Sequence, residues 1–151
     1  MKKDYLELTR LIERLHRRFL DVLRAELGRM GIKELNAVQA LLLTNIGAEQ
    51  IAIRDLIERG YYQGSNVSYN IKKLTDMGYL EQERSQHDRR SVTVRLTEKA
   101  LQVVARVHEL EDVNATAVEA AGINDADMRN TAETLRRIER TWADYIRYGE
   151  G

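Results

Sequence analysis

The chain contains no cysteine, no proline and no long apolar run. Without proline, no helix needs a proline break or kink. Without cysteine it has no disulfide framework, no cysteine-ligated zinc and no thiol-based redox sensor. The longest uninterrupted apolar run, Ala40–Leu43, is too short to span a membrane. The first residues lead into charged amphipathic sequence rather than the apolar stretch of a signal peptide. We therefore expect one soluble cytoplasmic domain over residues 1–151.

The chain also lacks net charge, because 24 basic and 24 acidic side chains cancel. The total conceals an uneven distribution. Residues 1–31 carry 8 basic and 5 acidic side chains, residues 61–97 carry 6 and 4, and residues 101–151 carry 6 and 10. Nucleic-acid binding depends on a local basic surface rather than on the sum. The composition thus permits a DNA partner, and it is equally consistent with ordinary scatter of charge.

The clearest pattern in the sequence is the helical spacing of apolar residues over two long segments. Apolar residues spaced alternately by three and four over 4–30 predict a helix about 40 Å long that ends at Gly28 and Gly31. A similar stripe near the C-terminus includes Trp142 and Tyr145. The two stripes offer more apolar surface than one small core needs, which favours a two-fold homodimer. An ordinary core position for Trp142 is the alternative.

Shorter elements lie between these two helices. Four more helices are predicted over residues 36–47, 51–59, 66–77 and 97–119, and the last helix begins at 125. Asn36 and Gln39 have capping-box spacing, and Ser65 is the expected cap of the helix that follows it. Alternating residues at 80–84 and 92–96 predict a β-hairpin.

Two short helices joined by a turn and followed by a hairpin form the pattern of a winged helix-turn-helix. If Val67, Ile71 and Leu74 face inward, the second of these helices, residues 65–77, has a polar outer face. That face comprises Ser65, Asn66, Ser68, Tyr69, Asn70, Lys72 and Lys73. Short hydrogen-bonding side chains suit base edges and phosphates in the major groove, and lysines suit phosphates. An ordinary solvated helix face is the alternative.

The hairpin tip, residues 85–91, is polar and charged. The candidate DNA-binding residues on or beside it are Arg84, Asp88, Arg89 and Arg90. Guanidinium groups at such a tip can enter the electronegative minor groove. Asp88 can hold Arg90 extended through a charge-assisted hydrogen bond. A charged, solvent-exposed turn with no DNA contact is the alternative.

These motifs resemble those of the MarR family of bacterial transcription regulators over nearly the whole chain. Asp88-Arg89-Arg90-Ser91, followed by Val94-Arg95-Leu96-Thr97, matches the family's D-x-R wing and the L-T that starts the next helix. Residues 65–80 resemble its recognition helix and the glycine after it. The segments VQALLLTNIG, residues 38–47, and GYYQGSNVSYNIKKL, residues 60–74, are similar to the LdtR-like branch of that family.

The resemblance implies a mainly α fold in which residues 34–97 form the winged helix-turn-helix inside a helical dimerisation frame, residues 1–31 and 101–149. It implies that Arg90 is the wing arginine and Asp88 its partner. It also implies a double-stranded DNA operator and a small aromatic effector near the junction of the two parts. We expect the effector between the first, second and fifth helices, with His16, Phe19, Asn36 and Asn45 as candidate lining residues. Two of them, His16 and Asn45, are polar residues on otherwise apolar helices and need a partner, either the ligand or a backbone carbonyl.

A winged-helix module that binds proteins without reading DNA is the alternative function. Retention on heparin, and its dependence on salt, would discriminate the two. An enzyme has little support, because His16, His87 and His108 lie in different regions without metal-ligand spacing. Phosphate-binding loops and nucleophile elbows are missing from the sequence as well. We expect no cofactor, no metal and no membrane partner; such a regulator would act as a repressor or as an activator.

Overall fold

The computed structural model describes residues 1–84 and 91–149. These residues form six helices and one small sheet. The helices are α1 Lys2–Arg29, α2 Ala37–Ile46, α3 Ile53–Gly60, α4 Gly64–Asp76, α5 Glu98–Ala120 and α6 Asp125–Tyr148. The strands are β1 Ile51–Ala52, β2 Leu80–Arg84 and β3 Val92–Leu96. The predicted fold class, mainly α with a small β-hairpin, is confirmed. The chain divides into two compact units, Met1–Leu110 and Glu111–Gly151.

Side-chain caps fix the start of two helices. The Asn36 side chain accepts a hydrogen bond from the Gln39 amide at 2.8 Å, and Gln39 Oε1 accepts one from the Asn36 amide at 3.0 Å. This reciprocal pair satisfies two amides that the first turn of α2 leaves without helical partners. The predicted capping box is therefore confirmed. A second box, between Asn124 and Asp127, starts α6.

A single glycine ends α1. Gly31 has φ +72°, and the Ile32 amide donates to the Leu27 carbonyl at 3.0 Å. This is the Schellman arrangement, in which one left-handed residue lets the chain turn away while the last carbonyls keep partners. Gly28, predicted to share in ending the helix, lies inside α1, because one left-handed residue is sufficient.

The predicted third helix begins two residues late, because its first two residues form β1. Ile51 pairs with Val94 and Ala52 with Thr93, antiparallel to β3. A strand of two residues is too short to show an alternating pattern, so the helical period that starts at Ile53 concealed it. The sheet consequently has three strands, in the order β1-β3-β2.

The fourth helix starts earlier than predicted. Gln63 is its N-cap residue, with extended backbone (ψ 127°) and no side-chain cap, and α4 begins at Gly64. Ser65 consequently lies within the first turn, and its expected capping role is wrong. A serine cap must itself have extended backbone so that its hydroxyl can reach a following amide. Gly78, at φ +85°, follows the end of the helix.

The core lies where α2, α3, α4, the sheet and the first part of α5 meet. Its fully buried members, each with no exposed surface, include Ala40, Leu43, Leu56, Leu74, Val94 and Ala100. A smaller cluster of Leu23, Ala37 and Val107 joins α1, α2 and α5. Burial of this kind contributes about 1.5–3 kcal/mol for each large apolar side chain. The core therefore fixes α4 firmly against the sheet and the other helices.

Both units also expose apolar side chains. On α1, the exposed fractions of Leu11, Leu15 and Phe19 are 45%, 55% and 47%. In the second unit, α6 has no buried residue, and Tyr145 and Ile146 are more than half exposed. Monomeric soluble proteins rarely expose apolar stripes of this length, and such stripes often mark interaction surfaces.

One acidic side chain joins α1 to α5. The Glu26 carboxylate accepts from Arg29 at 2.9 Å and from Arg106, on α5, at 2.9 Å, and only 11% of its side chain is exposed. The two guanidinium hydrogen bonds, first Arg29 and then Arg106, hold the pKa of Glu26 below its ordinary value of 4.5. The charged form of Glu26 is therefore the one that stabilises the fold.

We expect Glu26→Gln to lower the free energy of unfolding by about 1–2 kcal/mol at neutral pH, because hydrogen bonds to a charged acceptor are lost. A depressed folded pKa contributes stability above the unfolded pKa and loses it as pH falls through the folded pKa. The difference between wild type and variant should therefore shrink below pH 4.5. Glu13→Gln, which breaks the exposed 2.8 Å pair with Arg17, is the control. Equal losses from both substitutions in urea unfolding would contradict this account.

Gly60, the last residue of α3, is in close contact with an aromatic ring. A Cβ added there would lie 2.0–2.6 Å from three ring carbons of Tyr62. The Tyr62 hydroxyl in turn accepts a hydrogen bond from the Asn45 side chain on α2. Gly60 therefore makes the space in which Tyr62 connects the turn between α3 and α4 to α2.

We predict that Gly60→Ala lowers the free energy of unfolding by about 1–3 kcal/mol, because the ring must move and overpacking costs roughly this much. Gly28→Ala is the matched control, since no atom lies within 4 Å of its added Cβ. That substitution should stabilise α1 by up to about 1 kcal/mol through helix propensity. Thermal unfolding measures both. If Gly60→Ala stabilises the protein as much as Gly28→Ala, the packing argument is wrong.

Candidate nucleic-acid interface

The two faces of α4 differ sharply in exposure. Val67, Ile71 and Leu74 are buried, with exposed fractions of 2%, 2% and 0%. The predicted outer residues that are exposed are Ser65, Asn66, Ser68, Tyr69, Lys72 and Lys73. At about 100° per residue, Ser65, Tyr69 and Lys72 lie opposite the buried side chains. The core therefore presents hydrogen-bonding and cationic groups on the outward side of α4.

An aromatic ring occupies the middle of this outward face. Tyr69 is 62% exposed, and the Lys73 ammonium lies 5.5 Å from the centre of its ring. A cation over the face of an aromatic ring is weakly attracted to it. The ring edge can meet a thymine methyl group, and a lysine can reach a phosphate.

Asn70 differs from the other predicted residues of α4. It is half-buried, and its Oδ1 accepts a hydrogen bond from Gln39 Nε2 at 3.2 Å. Gln39 is the α2 residue whose other amide atom completes the capping box. Sequence reasoning identified this glutamine as a cap but missed its second contact, because 31 positions separate the two residues.

The turn between α3 and α4 carries two tyrosines with different environments. Tyr61 has φ +51°, a left-handed conformation that is rare for a residue with a side chain, and is 83% exposed. Tyr62 is half-buried against Gly60 and bonded to Asn45. The Arg59 guanidinium donates to the Asn45 carbonyl at 3.0 Å. Packing thus explains Tyr62, whereas Tyr61 lies exposed three residues before the start of α4.

A polar cluster fixes the other end of α4. The hydroxyl of Tyr79, which is only 1% exposed, donates to the Glu34 carboxylate. The Lys99 ammonium lies 3.1 Å from the same carboxylate and 4.4 Å from the Tyr79 ring centre. It also donates to the Met77 carbonyl, at the end of α4, at 3.0 Å. The start of α5 is thereby joined to the end of α4.

The same cluster changes the acidity of two groups. The hydrogen bond from Tyr79, followed by that from Lys99, lowers the pKa of Glu34. Burial, and then the neighbouring carboxylate, raise the pKa of the Tyr79 phenol. At neutral pH the cluster therefore holds a charged Glu34 and a neutral Tyr79. Local sequence patterns do not predict this cluster, because Glu34 and Tyr79 are 45 positions apart.

The hairpin base is described, but its tip is not. Arg84, the last residue of β2, is exposed and stands opposite Val92 of β3. The other predicted wing residues, Asp88, Arg89 and Arg90, lie outside the described residues. Lower in the hairpin, Arg95 donates to Glu81 across the strands at 2.8 Å.

The four residues expected to line an effector pocket lie in different places. His16 and Phe19 are exposed on α1, and Asn36 is exposed at the start of α2. Asn45 lies nine residues further on, about 13 Å along the helix axis, and is bonded to Tyr62. Both asparagines already have partners within the chain, so neither needs a ligand to satisfy it.

A cavity of about 530 Å³ lies elsewhere in the first unit. Its lining includes Met30, Ile32, Lys33, Glu34, Lys99 and Val103. It combines apolar walls with two lysines and opens beside the cluster at the end of α4. Among the described residues, no set of three or more histidine and acidic side chains could hold a metal ion, and no helix could cross a membrane.

Residues 35–100 match the family model of a winged helix DNA-binding domain. Over 145 residues, 96% of this chain and 75% of the relative, the sequence is 37% identical to the exopolysaccharide II synthesis transcriptional activator ExpG of Rhizobium meliloti (strain 1021). The match covers nearly the whole chain, including both long terminal helices.

Solved structures share the fold at lower identity. A mutant of MarR from E. coli complexed with operator DNA has a TM-score of 0.72, 18% identity, and coverage of 89% of this chain and 95% of that chain. BpsR of Bordetella bronchiseptica, in a structure on regulation of its DNA binding by 6-hydroxynicotinic acid, has a TM-score of 0.70 and 19% identity. That match covers 88% of this chain and 98% of the other.

Proposed function

Since the chain belongs to the MarR family of DNA-binding winged-helix transcription regulators, we propose that it binds a pseudo-palindromic operator as a homodimer. In this proposal α4 enters the major groove and the tip at 85–91 enters the minor groove. The observation that carries it is the polar and cationic outward face of α4, fixed by a fully buried opposite face. The resemblance to the LdtR-like branch remains a prediction.

The contacts within the first unit support this mode of binding. The Ser65 and Ser68 hydroxyls and the Asn66 amide are short groups that can reach base edges, and they lie on the first two turns of α4. Lys72 and Lys73 follow on later turns and suit phosphates. A two-fold dimer presents two such helices, so half-site centres should lie about 10 bp apart. A gene regulator works where the DNA is, so we place it in the cytoplasm.

The exposed apolar stripe on α1 supports the dimer. Leu11, Leu15 and Phe19 are each about half exposed in one copy of the chain. A second copy related by a two-fold axis could cover them with the same surface. The α6 stripe would contribute in the same way.

We expect wild type to have the mass of a dimer by light scattering at micromolar concentration. Leu11→Glu combined with Leu15→Glu should give a folded monomer, because two charges would enter the apolar interface while the core remains intact. His16→Glu, at an exposed polar position of the same helix, is the control and should leave the dimer unchanged. A monomeric wild type would contradict the proposal.

Two substitutions separate minor-groove contacts from phosphate contacts. Arg90→Ala should weaken operator binding by about 1–3 kcal/mol and change preference mainly at the flanking positions. Lys72→Ala should weaken binding to all sequences evenly and lower the salt slope by about one phosphate's share. Lys2→Ala, at the start of α1, is the control. Fluorescence anisotropy at several salt concentrations measures both effects, and unchanged affinity of Arg90→Ala would refute the wing assignment.

An effector is the remaining part of the proposal. DNA binding by the structural neighbour BpsR is regulated by 6-hydroxynicotinic acid. In this chain the cavity beside Lys33 and Lys99 has apolar walls for a ring and cations for a carboxylate. Lys99, which lines the cavity, donates to the Met77 carbonyl and so connects the cavity to the end of α4. A ligand there could change the distance between the two recognition helices of a dimer.

An aromatic carboxylate that raises the melting temperature should also weaken operator binding by about 1–3 kcal/mol, because both effects report the same coupling. Lys33→Ala should reduce the compound's affinity if it binds in the cavity. His16→Ala should reduce it if the compound binds instead among His16, Phe19 and Asn36. A thermal-shift screen of phenolic and aromatic carboxylate compounds provides the ligand. Stabilisation that leaves operator affinity unchanged would reject the coupling.

A further inference from the structure

The backbone amide of Asn36 and the side chains of Gln39 and Asn70 form a hydrogen-bonded chain from the start of α2 to the middle of α4. The Asn36 amide donates to Gln39 Oε1 at 3.0 Å, and Gln39 Nε2 donates to Asn70 Oδ1 at 3.2 Å. Gln39 is only 3% exposed, so its amide group must be satisfied within the protein. Asn70, at the far end, is half-buried at the edge of the outward face.

The direction of every bond in this chain is fixed by its first member. A backbone amide can only donate, so the oxygen of the Gln39 side chain must face Asn36. The Gln39 amino group must then point the other way, towards Asn70. Because the Gln39 amino group can only donate, the side-chain oxygen of Asn70 must face inward to accept its hydrogen bond. The Asn70 amino group, with two N–H donors, has no partner among the described residues.

We infer that Asn70, oriented by Gln39, donates to a guanine in the major groove of each half-site. This inference rests on the proposed function. Guanine presents two neighbouring acceptors there, N7 and O6, which fit two donors. The familiar pairing of asparagine with adenine needs one donor and one acceptor, and Asn70 has its acceptor directed away. Gln39 is therefore a positioning residue that determines which base Asn70 recognises.

The test is selection of bound sequences from random double-stranded DNA by the full-length chain. Wild type should favour guanine over adenine at one position of each half-site by about 5- to 150-fold, the discrimination typical of a good paired contact. Asn70→Asp keeps an oxygen for Gln39 but presents an acceptor outward. It should abolish the guanine preference and favour a base with a donor, cytosine or adenine. Asn66→Asp adds the same charge on the same helix and should lower affinity through its own contacts, while guanine stays preferred at the position that Asn70 reads.

Gln39→Glu tests the positioning role without removing Asn70. A carboxylate at this position still accepts from Asn36, so the capping box remains, but it cannot donate to Asn70. Asn70 should then turn its amino group inward and its oxygen outward, which lowers the guanine preference at that one position. Selection at about pH 8 keeps the introduced carboxyl ionised. A purely structural defect would lower affinity without changing the preferred base.

The outcomes separate this inference from the proposed function. If wild type enriches no sequence, the proposed function itself fails. If wild type enriches an operator but Asn70→Asp keeps the guanine preference, the inference is overturned. It is also overturned if Asn70→Asp weakens all sequences evenly, because that result indicates a phosphate contact. Should the melting temperature show that Gln39→Glu does not fold, Asn70→Asp decides alone, since it leaves the buried Gln39 in place.

Discussion

The burial of one face of α4 is the constraint on which the proposed DNA-binding surface depends. Val67, Ile71 and Leu74 are inserted into a core shared with α2, α3, the sheet and the start of α5. Because a helix is rigid about its own axis, fixing these three side chains also fixes the direction of every other side chain on it. Hydrogen-bonding and cationic groups consequently point outward together. Removing one of the three would leave a cavity and loosen the whole outward face.

Polar contacts refine what the apolar contacts establish. Gln39 is buried beside α4, and both the oxygen and the nitrogen of its side-chain amide are hydrogen-bonded, so it permits one rotation of the helix and opposes others. At the far end, Lys99 connects the Met77 carbonyl to Glu34. A buried polar group that loses its partner costs about 1–3 kcal/mol, which makes such contacts specific. The outward face is therefore positioned by apolar burial and oriented by hydrogen bonds.

Patterns within a few neighbouring residues predict much of this fold. They do not predict contacts between residues that are far apart in the sequence. The capping box of Asn36 and Gln39 is encoded within four residues, so the sequence alone was sufficient to predict it. The two-residue strand at 51–52 was missed, because its partner lies about forty positions away, in β3. The bond between Gln39 and Asn70 was missed for the same reason. Only the folded chain shows that the side-chain oxygen of Asn70 is held towards Gln39, whereas the side chain of the neighbouring Tyr69 is exposed.

The central claim is that the outward face of α4 lies in the major groove of DNA. The natural chain has no cysteine, so Ser68→Cys provides a single attachment point for an iron chelate that cleaves nearby DNA. Glu7→Cys, on α1, is the matched control. The account predicts cleavage from position 68 at two places on a selected operator, centred in major grooves about one helical turn apart. Cleavage from position 7 should be weak. If position 68 gives no more cleavage than position 7, the recognition role of α4 is contradicted.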